Sequence, residues 1–177
     1  MSYIVIAMAT CLSCLGDEGG QNAHRPHRVD VSVAVNKHVY RPLEPIHLVF
    51  TAINVGDKDV FYSSLSVPYE RFDVVVRRYD TLGKEVEVGR TAYYIHEVEA
   101  APIISYPRGP WAPGSKWVQS FDANLLYDMT LPGRYSITIE VPYWKEEPEA
   151  VAGLVDPLQK FVSRSKPIIV EVDRIRE

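Results

Sequence analysis

The chain has 177 residues, of which 46% are hydrophobic and 24% are charged. This length suffices for a domain with its own core, and the composition excludes wholesale disorder. The formal net charge is −4, which gives no general attraction to nucleic acid or to an anionic membrane surface. Thirteen prolines and eleven tyrosines, without a long helical repeat, favour strands and turns.

The chain opens on a short apolar segment. Residues 3–12 (YIVIAMATCL) are too few for a membrane span, which needs roughly 20 residues, but they suit the hydrophobic region of a signal peptide. We therefore expect residues 1–14 to be a signal or lipoprotein-type segment and residues 15–27 to be a flexible spacer. The expected location is extracytoplasmic, in the cell envelope or secreted, and it is cytoplasmic if this segment is not a signal.

The two cysteines of the chain both lie in this segment. Cys14 and Cys11 each follow a small residue, which resembles the lipidation site of bacterial lipoproteins, although no Lys or Arg precedes the apolar run. Either cysteine is a candidate for lipidation, and membrane contact is expected only through such an anchor. A zinc site with His24 and His27 is disfavoured because the spacer lacks apolar packing residues. We predict no metal and no cofactor.

From residue 28 onward the sequence shows the two-residue alternation of strands with one buried face. The clearest case follows a Pro-Gly turn, where Tyr135, Ile137, Ile139 and Val141 alternate with polar residues, including Ser136. The pattern predicts strands near 29–35, 46–53, 60–62, 72–77, 84–88, 117–124, 134–141 and 167–172, and permits one at 93–95. It also predicts an exposed proline-rich loop at 101–111, single helical turns near 125–128 and 149–154, and a charged tail at 173–177.

Short strands without crossover helices are typical of an antiparallel sandwich. We therefore predict that residues 28–172 form an all-β, antiparallel immunoglobulin-like β-sandwich of about seven to nine strands, with a closed barrel as the alternative.

The segment around Asp128, Gly133 and Tyr135 resembles the tyrosine corner of immunoglobulin-like domains, in which an inward tyrosine bonds to the backbone upstream. The order of turn and strand landmarks from residue 39 to residue 135 is similar to the β-sandwich preceding the catalytic domain of deuterolysin-type peptidases. It also resembles the intracellular proteinase inhibitor module. His96-Glu97 begins a zinc-peptidase motif, but Ala100 stands where its second histidine belongs. The resemblance therefore implies the accessory module without the peptidase.

The proline-rich connection is surrounded by aromatic and arginine side chains, which are typical of binding hot spots on long loops. The candidate binding residues are Arg90, Tyr93, Tyr94, Tyr106, Arg108, Trp111 and Trp117. The alternative role for these rings is to cap the open end of the sandwich.

No motif of a nucleophilic, acid–base or phosphate-binding site occurs in this region. The sequence therefore predicts a non-enzymatic exported binding module, with an unknown protein or carbohydrate as partner and no nucleic acid. Two alternatives stay open. One is a proteinase inhibitor that blocks a peptidase through residues 101–113, and the other is a structural domain of the cell envelope or of a larger assembly.

Overall fold

The computed structural model describes residues 27–64, 72–99, 106–145 and 160–174, and these residues form an all-β fold. Eleven strands and two short helical segments occur in this part of the chain. The strands are β1 (Val29–Val35), β2 (Val39–Tyr40), β3 (His47–Asn54), β4 (Val60–Ser64), β5 (Asp73–Tyr79), β6 (Glu85–Glu87), β7 (Tyr106–Trp111), β8 (Lys116–Asp122), β9 (Gly133–Trp144), β10 (Lys160–Arg164) and β11 (Ile168–Val172). The helical segments are a π-helical turn (Tyr94–Glu99) and α1 (Ala123–Leu126).

One sheet has three strands in the order β1-β3-β8, all antiparallel. Strand β3 alternates as its sequence predicts, with Leu48, Phe50 and Ala52 fully buried and His47 and Val49 exposed. Period-two alternation appears here because one face of the sheet packs on the core and the other faces solvent.

The second sheet is centred on β9, a strand of twelve residues. The first half of β9 lies between β5 and β11, and its second half pairs with β10 and touches β4. The predicted inward residues of β9 are all buried. Ser136 was predicted to face water but is also buried, because Arg77 and Ile169 lie opposite it on the two flanking strands.

The prediction of a purely antiparallel fold is wrong at one edge of this sheet. Strand β2 runs parallel to β11, with Val39 opposite Glu171 and Tyr40 opposite Val172. The predicted count of about seven to nine strands is also too low. Three stretches without a clear alternation, β2, β7 and β10, are strands because neighbouring strands supply partners for their backbones.

The proline-rich stretch was predicted to be an exposed loop as far as residue 111, but Tyr106–Trp111 is strand β7. It pairs with β4 at the end of the sheet order β2-β11-β9-β4-β7. Proline lacks a backbone N–H and is tolerated on such an edge, which accommodates Pro107 and Pro110. Residues 101–105 lie outside the described part of the chain.

The helical segments also differ from the prediction. The stretch 93–95, for which a strand was permitted, enters the π-helical turn, where Thr91 accepts hydrogen bonds from Tyr94 N through its hydroxyl (3.2 Å) and from Ile95 N through its carbonyl (3.1 Å). The turn predicted at 125–128 occurs two residues earlier, as α1. The helical turn predicted at 149–154 lies outside the described residues.

Both sheets contribute side chains to one hydrophobic core. The ring of Phe50 in the small sheet packs against that of Phe72 at an angle of 53°, with centroids 4.5 Å apart, and the Phe72 ring lies 5.2 Å from that of Phe121. Ile137 and Ile139 of β9 are fully buried in the same core. Each such side chain contributes about 1.5–3 kcal/mol when it leaves water, so this shared core holds the sheets together.

Candidate functional site

The two candidate tryptophans lie on neighbouring elements, at the end of β7 and the start of β8. Trp111 is buried, with only 7% of its surface exposed. Trp117 is half-buried and contacts the core edge-on, 5.0 Å from Phe50 and 5.9 Å from Phe72. The prediction that Trp111 lies in an exposed loop is therefore wrong, because its side chain packs in the hydrophobic core.

A cleft of about 400 Å³ lies between these tryptophans and β4. Tyr62 of β4 is half-buried and meets Trp111 edge-to-face, with ring centroids 6.1 Å apart. Among the described residues that line the cleft, Lys116 is the charged one, and Val118 is 51% exposed. We call this the aromatic cleft; its lining residues are Tyr62, Trp111, Ser115, Lys116, Trp117 and Val118.

Asn54, at the end of β3, holds one wall of the aromatic cleft in place. Its side chain is fully buried and donates to Trp111 O (2.7 Å) and to Lys58 O (2.9 Å). Its side-chain oxygen accepts from Gly56 N (3.0 Å). A buried amide that makes three hydrogen bonds within the protein has a structural role. Asn54 thus ties the small sheet to the end of β7.

The remaining candidate residues form a separate group around Tyr127. The Arg90 guanidinium lies over the Tyr94 ring at 4.3 Å, and the Tyr94 ring lies 6.3 Å from that of Tyr127. Arg90 and Tyr94 line a second cleft, of about 430 Å³, and no described residue lines both this cleft and the aromatic cleft. Tyr93 is 44% exposed.

The structure therefore brings together Trp111 and Trp117 but places Arg90, Tyr93 and Tyr94 elsewhere. Tyr106 and Arg108 belong to β7, and their side chains lie outside the described part of the structure.

Sequence reasoning did not single out four lining residues of the aromatic cleft, Tyr62, Ser115, Lys116 and Val118, or Asn54, which supports its wall. Tyr62 was predicted only as part of the short strand at 60–62, and Asn54 lies just after the predicted strand at 46–53. The asparagine before Val-Gly was a usable signal, because such side chains bond to the backbone two residues ahead, as Asn54 does with Gly56.

The predicted corner residues lie around the turn that leads into β9. The Tyr135 hydroxyl donates to Leu131 O at 2.5 Å, and the Tyr135 ring is fully buried. Asp128 accepts bonds from the backbone N (3.2 Å) and the hydroxyl (2.6 Å) of Thr130. Gly133 has φ +145°, a conformation that L side chains rarely adopt. Together these groups define where the central strand begins.

Another cleft, of about 940 Å³, lies where β9 begins and β11 ends. Its lining mixes cations and anions, including Asp80, Arg134, Asp173 and Arg174. Such a balanced set of solvated charges indicates no particular ligand. The aromatic cleft is smaller but has a distinct chemical character.

The histidines and carboxylates of the described residues form no group of three or more that could hold a metal ion. His47 pairs with Asp122 at 3.0 Å and His38 bonds to Ile169 O at 2.9 Å, both at exposed positions. No helix within the described ranges is long and apolar enough to span a bilayer. Cys11 and Cys14 lie outside these ranges.

Comparisons with known proteins do not identify a family. No family model matches the chain, and no curated protein matches it. Among solved structures it is similar to the X-ray structure of Northeast Structural Genomics Consortium target SoR45, at 14% sequence identity and a TM-score of 0.37. That alignment covers 86% of this chain and 91% of the other. A similarity this low supports no conclusion about the fold or the function of this chain.

Proposed function

We propose that the chain is a non-enzymatic, exported binding module that recognises a protein or carbohydrate partner through the aromatic cleft. The observation that carries the proposal is the grouping of Tyr62 and Trp117, both half-buried, with buried Trp111 around about 400 Å³ of open space. Ligand sites are commonly clefts of about 300–1,000 Å³ lined by aromatic and apolar groups with a few polar ones.

The chemistry of the aromatic cleft suits a partner that presents a flat or compact apolar surface. Rings that are already packed lose little conformational freedom on binding, which is why tyrosine and tryptophan recur at recognition sites. Lys116 and Ser115 supply polar groups at the lining. A sugar ring or an exposed side chain of a protein partner can satisfy both requirements.

An immunoglobulin-like β-sandwich is part of the same proposal. Its support is the core shared by two sheets and the upstream hydrogen bond from Tyr135 to Leu131 O. Such a scaffold presents end loops on a rigid body, and the aromatic cleft lies where β8 begins and β7 ends.

The burial of Trp111 favours the alternative, purely structural role for that residue, in which its ring closes the end of the core. The inhibitor alternative has less support, because Tyr106–Trp111, which belongs to the proposed blocking segment, is a strand paired with β4.

Substitution of Tyr62 with leucine tests recognition at the aromatic cleft. The variant removes an aromatic wall that is half-buried, whereas replacing Trp111 or Trp117 would damage the core. We expect glycan-array binding or capture of a protein partner to fall at least about tenfold, since one aromatic contact of this kind contributes more than about 1.4 kcal/mol. Tyr79→Leu, at another half-buried tyrosine on β5, is the matched control and should bind as the parent does. Equal binding by both variants would exclude the aromatic cleft as the recognition site. Its rings would then serve only to close the end of the core.

Export rests on the apolar run at residues 3–12 and is tested separately. We expect mass spectrometry of the native N-terminus to show removal of the leading segment, with a lipid mass on Cys11 or Cys14 if the chain is a lipoprotein. A protein with an intact Met1 in the soluble cytosolic fraction would contradict export, but it would leave the binding proposal unchanged.

A further inference from the structure

The edges of β-sheets carry backbone groups that can pair with another strand, and most edges of this fold are protected. Strand β7 carries two prolines, β2 has only two residues, and β6 has three residues, of which the first and last are the charged Glu85 and Glu87. At the edge strand β1, Val29 O accepts a hydrogen bond from the Ser163 hydroxyl of β10.

Strand β8 is the exception. It is seven residues long and contains no proline, and its register with β3 is continuous over seven residue pairs without a bulge. Within the described residues it pairs with β3 alone and ends the order β1-β3-β8. A long, regular edge of this kind is a template for pairing with another strand.

The sequence of β8, Lys-Trp-Val-Gln-Ser-Phe-Asp, is complementary to itself when it runs antiparallel about Gln119. In that register Lys116 lies opposite Asp122 of a second copy, Trp117 lies opposite Phe121, and Val118 lies opposite Ser120. Opposite charges and paired aromatic rings directly across strands are the combinations that stabilise antiparallel pairing. We propose that a second copy of this chain pairs with β8 in this register and joins the two small sheets into one six-stranded sheet.

The orientation of the side chains in β8 is consistent with this pairing. Phe121 is buried and Trp117 half-buried on the core side, while Lys116, Val118 and Ser120 are exposed on the outer side. Residues directly opposite each other in an antiparallel pair share a face, so the aromatic pairs form beside the two cores and the ion pairs form on the outside. Lys116 has no ion-pair partner among the described residues, and Asp122 has only the exposed His47.

The register is specific because a shift of the partner by two residues destroys the complementarity. It would place Lys116 opposite Ser120 and Trp117 opposite Gln119, with two Val118 side chains facing each other. Both ion pairs and both aromatic pairs would be lost. The centred register also closes on itself with two-fold symmetry, so it produces a dimer and leaves no repeating contact.

Reversal of the charges at the ends of β8 tests the pairing in the full-length chain by sedimentation velocity over a range of concentrations. We expect a reversible dimer for the parent. Lys116→Glu or Asp122→Lys converts two attractive pairs per dimer into two repulsive ones and should weaken association by about tenfold or more, at 1.4 kcal/mol per factor of ten. The double variant K116E/D122K restores opposite charges and should restore the parental dissociation constant. Lys37→Glu reverses an exposed charge on a different surface and should leave association unchanged.

Hydrogen exchange provides a second measurement that does not depend on the variants. Amides of Lys116–Asp122 should become more protected as the concentration of the parent chain rises, and those of β6 should not. A chain that stays monomeric at every concentration would overturn the proposal. So would single reversals with the parental dissociation constant, or a double variant as weak as the single ones. The pairing does not depend on the proposed recognition function, because in a sample without any partner Tyr62→Leu should dimerise as the parent does.

Discussion

Three tyrosine side chains lie in partly or fully buried surroundings that disfavour the charged phenolate form relative to the neutral phenol. Tyr127 donates to Val74 O, Tyr135 to Leu131 O, and Tyr40 to the side-chain oxygen of Asn36. Burial raises the pKa of all three phenols above the ordinary value of 10.0, because the charged form would lose its hydration. Unfolding returns each pKa to about 10, so above that pH the unfolded chain binds fewer protons than the folded one. These tyrosines therefore contribute full stability below pH 10, and that contribution is lost as pH rises through the folded pKa values.

Tyr127→Phe separates the two contributions of this hydroxyl. At neutral pH the variant should lose about 1–2 kcal/mol of unfolding free energy, because a buried hydrogen bond to Val74 O disappears. Above pH 10 the difference in unfolding free energy between the variant and the parent should shrink. The parent loses stability there because its unfolded state releases the Tyr127 proton more readily, and the variant has no such proton to release. Urea unfolding at neutral and alkaline pH measures both. Tyr79→Phe, whose hydroxyl bonds to the exposed carboxylate of Glu85, controls for loss of a hydroxyl. A deficit that grows with pH would contradict this account.

At the scale of elements, Asn54 links the end of β3 to the end of β7. The side-chain nitrogen of Asn54 donates to two backbone carbonyls, and the backbone of Asn54 also bonds to Ser115 O (3.1 Å) and Gly114 N (2.8 Å). These bonds join the end of the small sheet to the turn between β7 and β8. They therefore position Trp111 and the first residues of β8, which form two walls of the aromatic cleft.

Asn54→Asp should weaken this junction strongly without a change in side-chain size. A carboxylate only accepts hydrogen bonds, so its buried oxygen would face the carbonyls of Trp111 and Lys58 without a proton between them. We expect a loss of about 3 kcal/mol or more in unfolding free energy, measured by urea titration. Asn36→Asp is the matched control, because Asn36 accepts its bond from Tyr40 and an aspartate can do the same. Equal losses in the two variants would show that the donor role of Asn54 is unimportant.

At the scale of the whole molecule, the described residues form two sheets around one core. Both proposed interaction sites, the aromatic cleft and strand β8, lie at sheet edges or strand ends. The aromatic cleft and strand β8 share Lys116, Trp117 and Val118. A second copy on β8 would thus border the aromatic cleft, so self-association and partner binding are expected to influence each other.

The sequence by itself determined the all-β class and most of the strands. It predicted the strand at 46–53 and the inward residues of β9 correctly, because burial of one sheet face imposes a local two-residue period. It also marked the turn before β9, where Gly133 adopts a conformation suited to glycine.

Only the tertiary structure decided which strands meet. The parallel pairing of β2 with β11, the conversion of a proline-rich stretch into edge strand β7, and the burial of Trp111 all depend on partners distant in the chain. For the same reason the predicted aromatic surface divides in two, with Tyr94 packed near Tyr127 and Trp117 facing Tyr62 across the aromatic cleft. Alternation along one strand reports which face is buried, but it carries no information about what lies on the other side of the core.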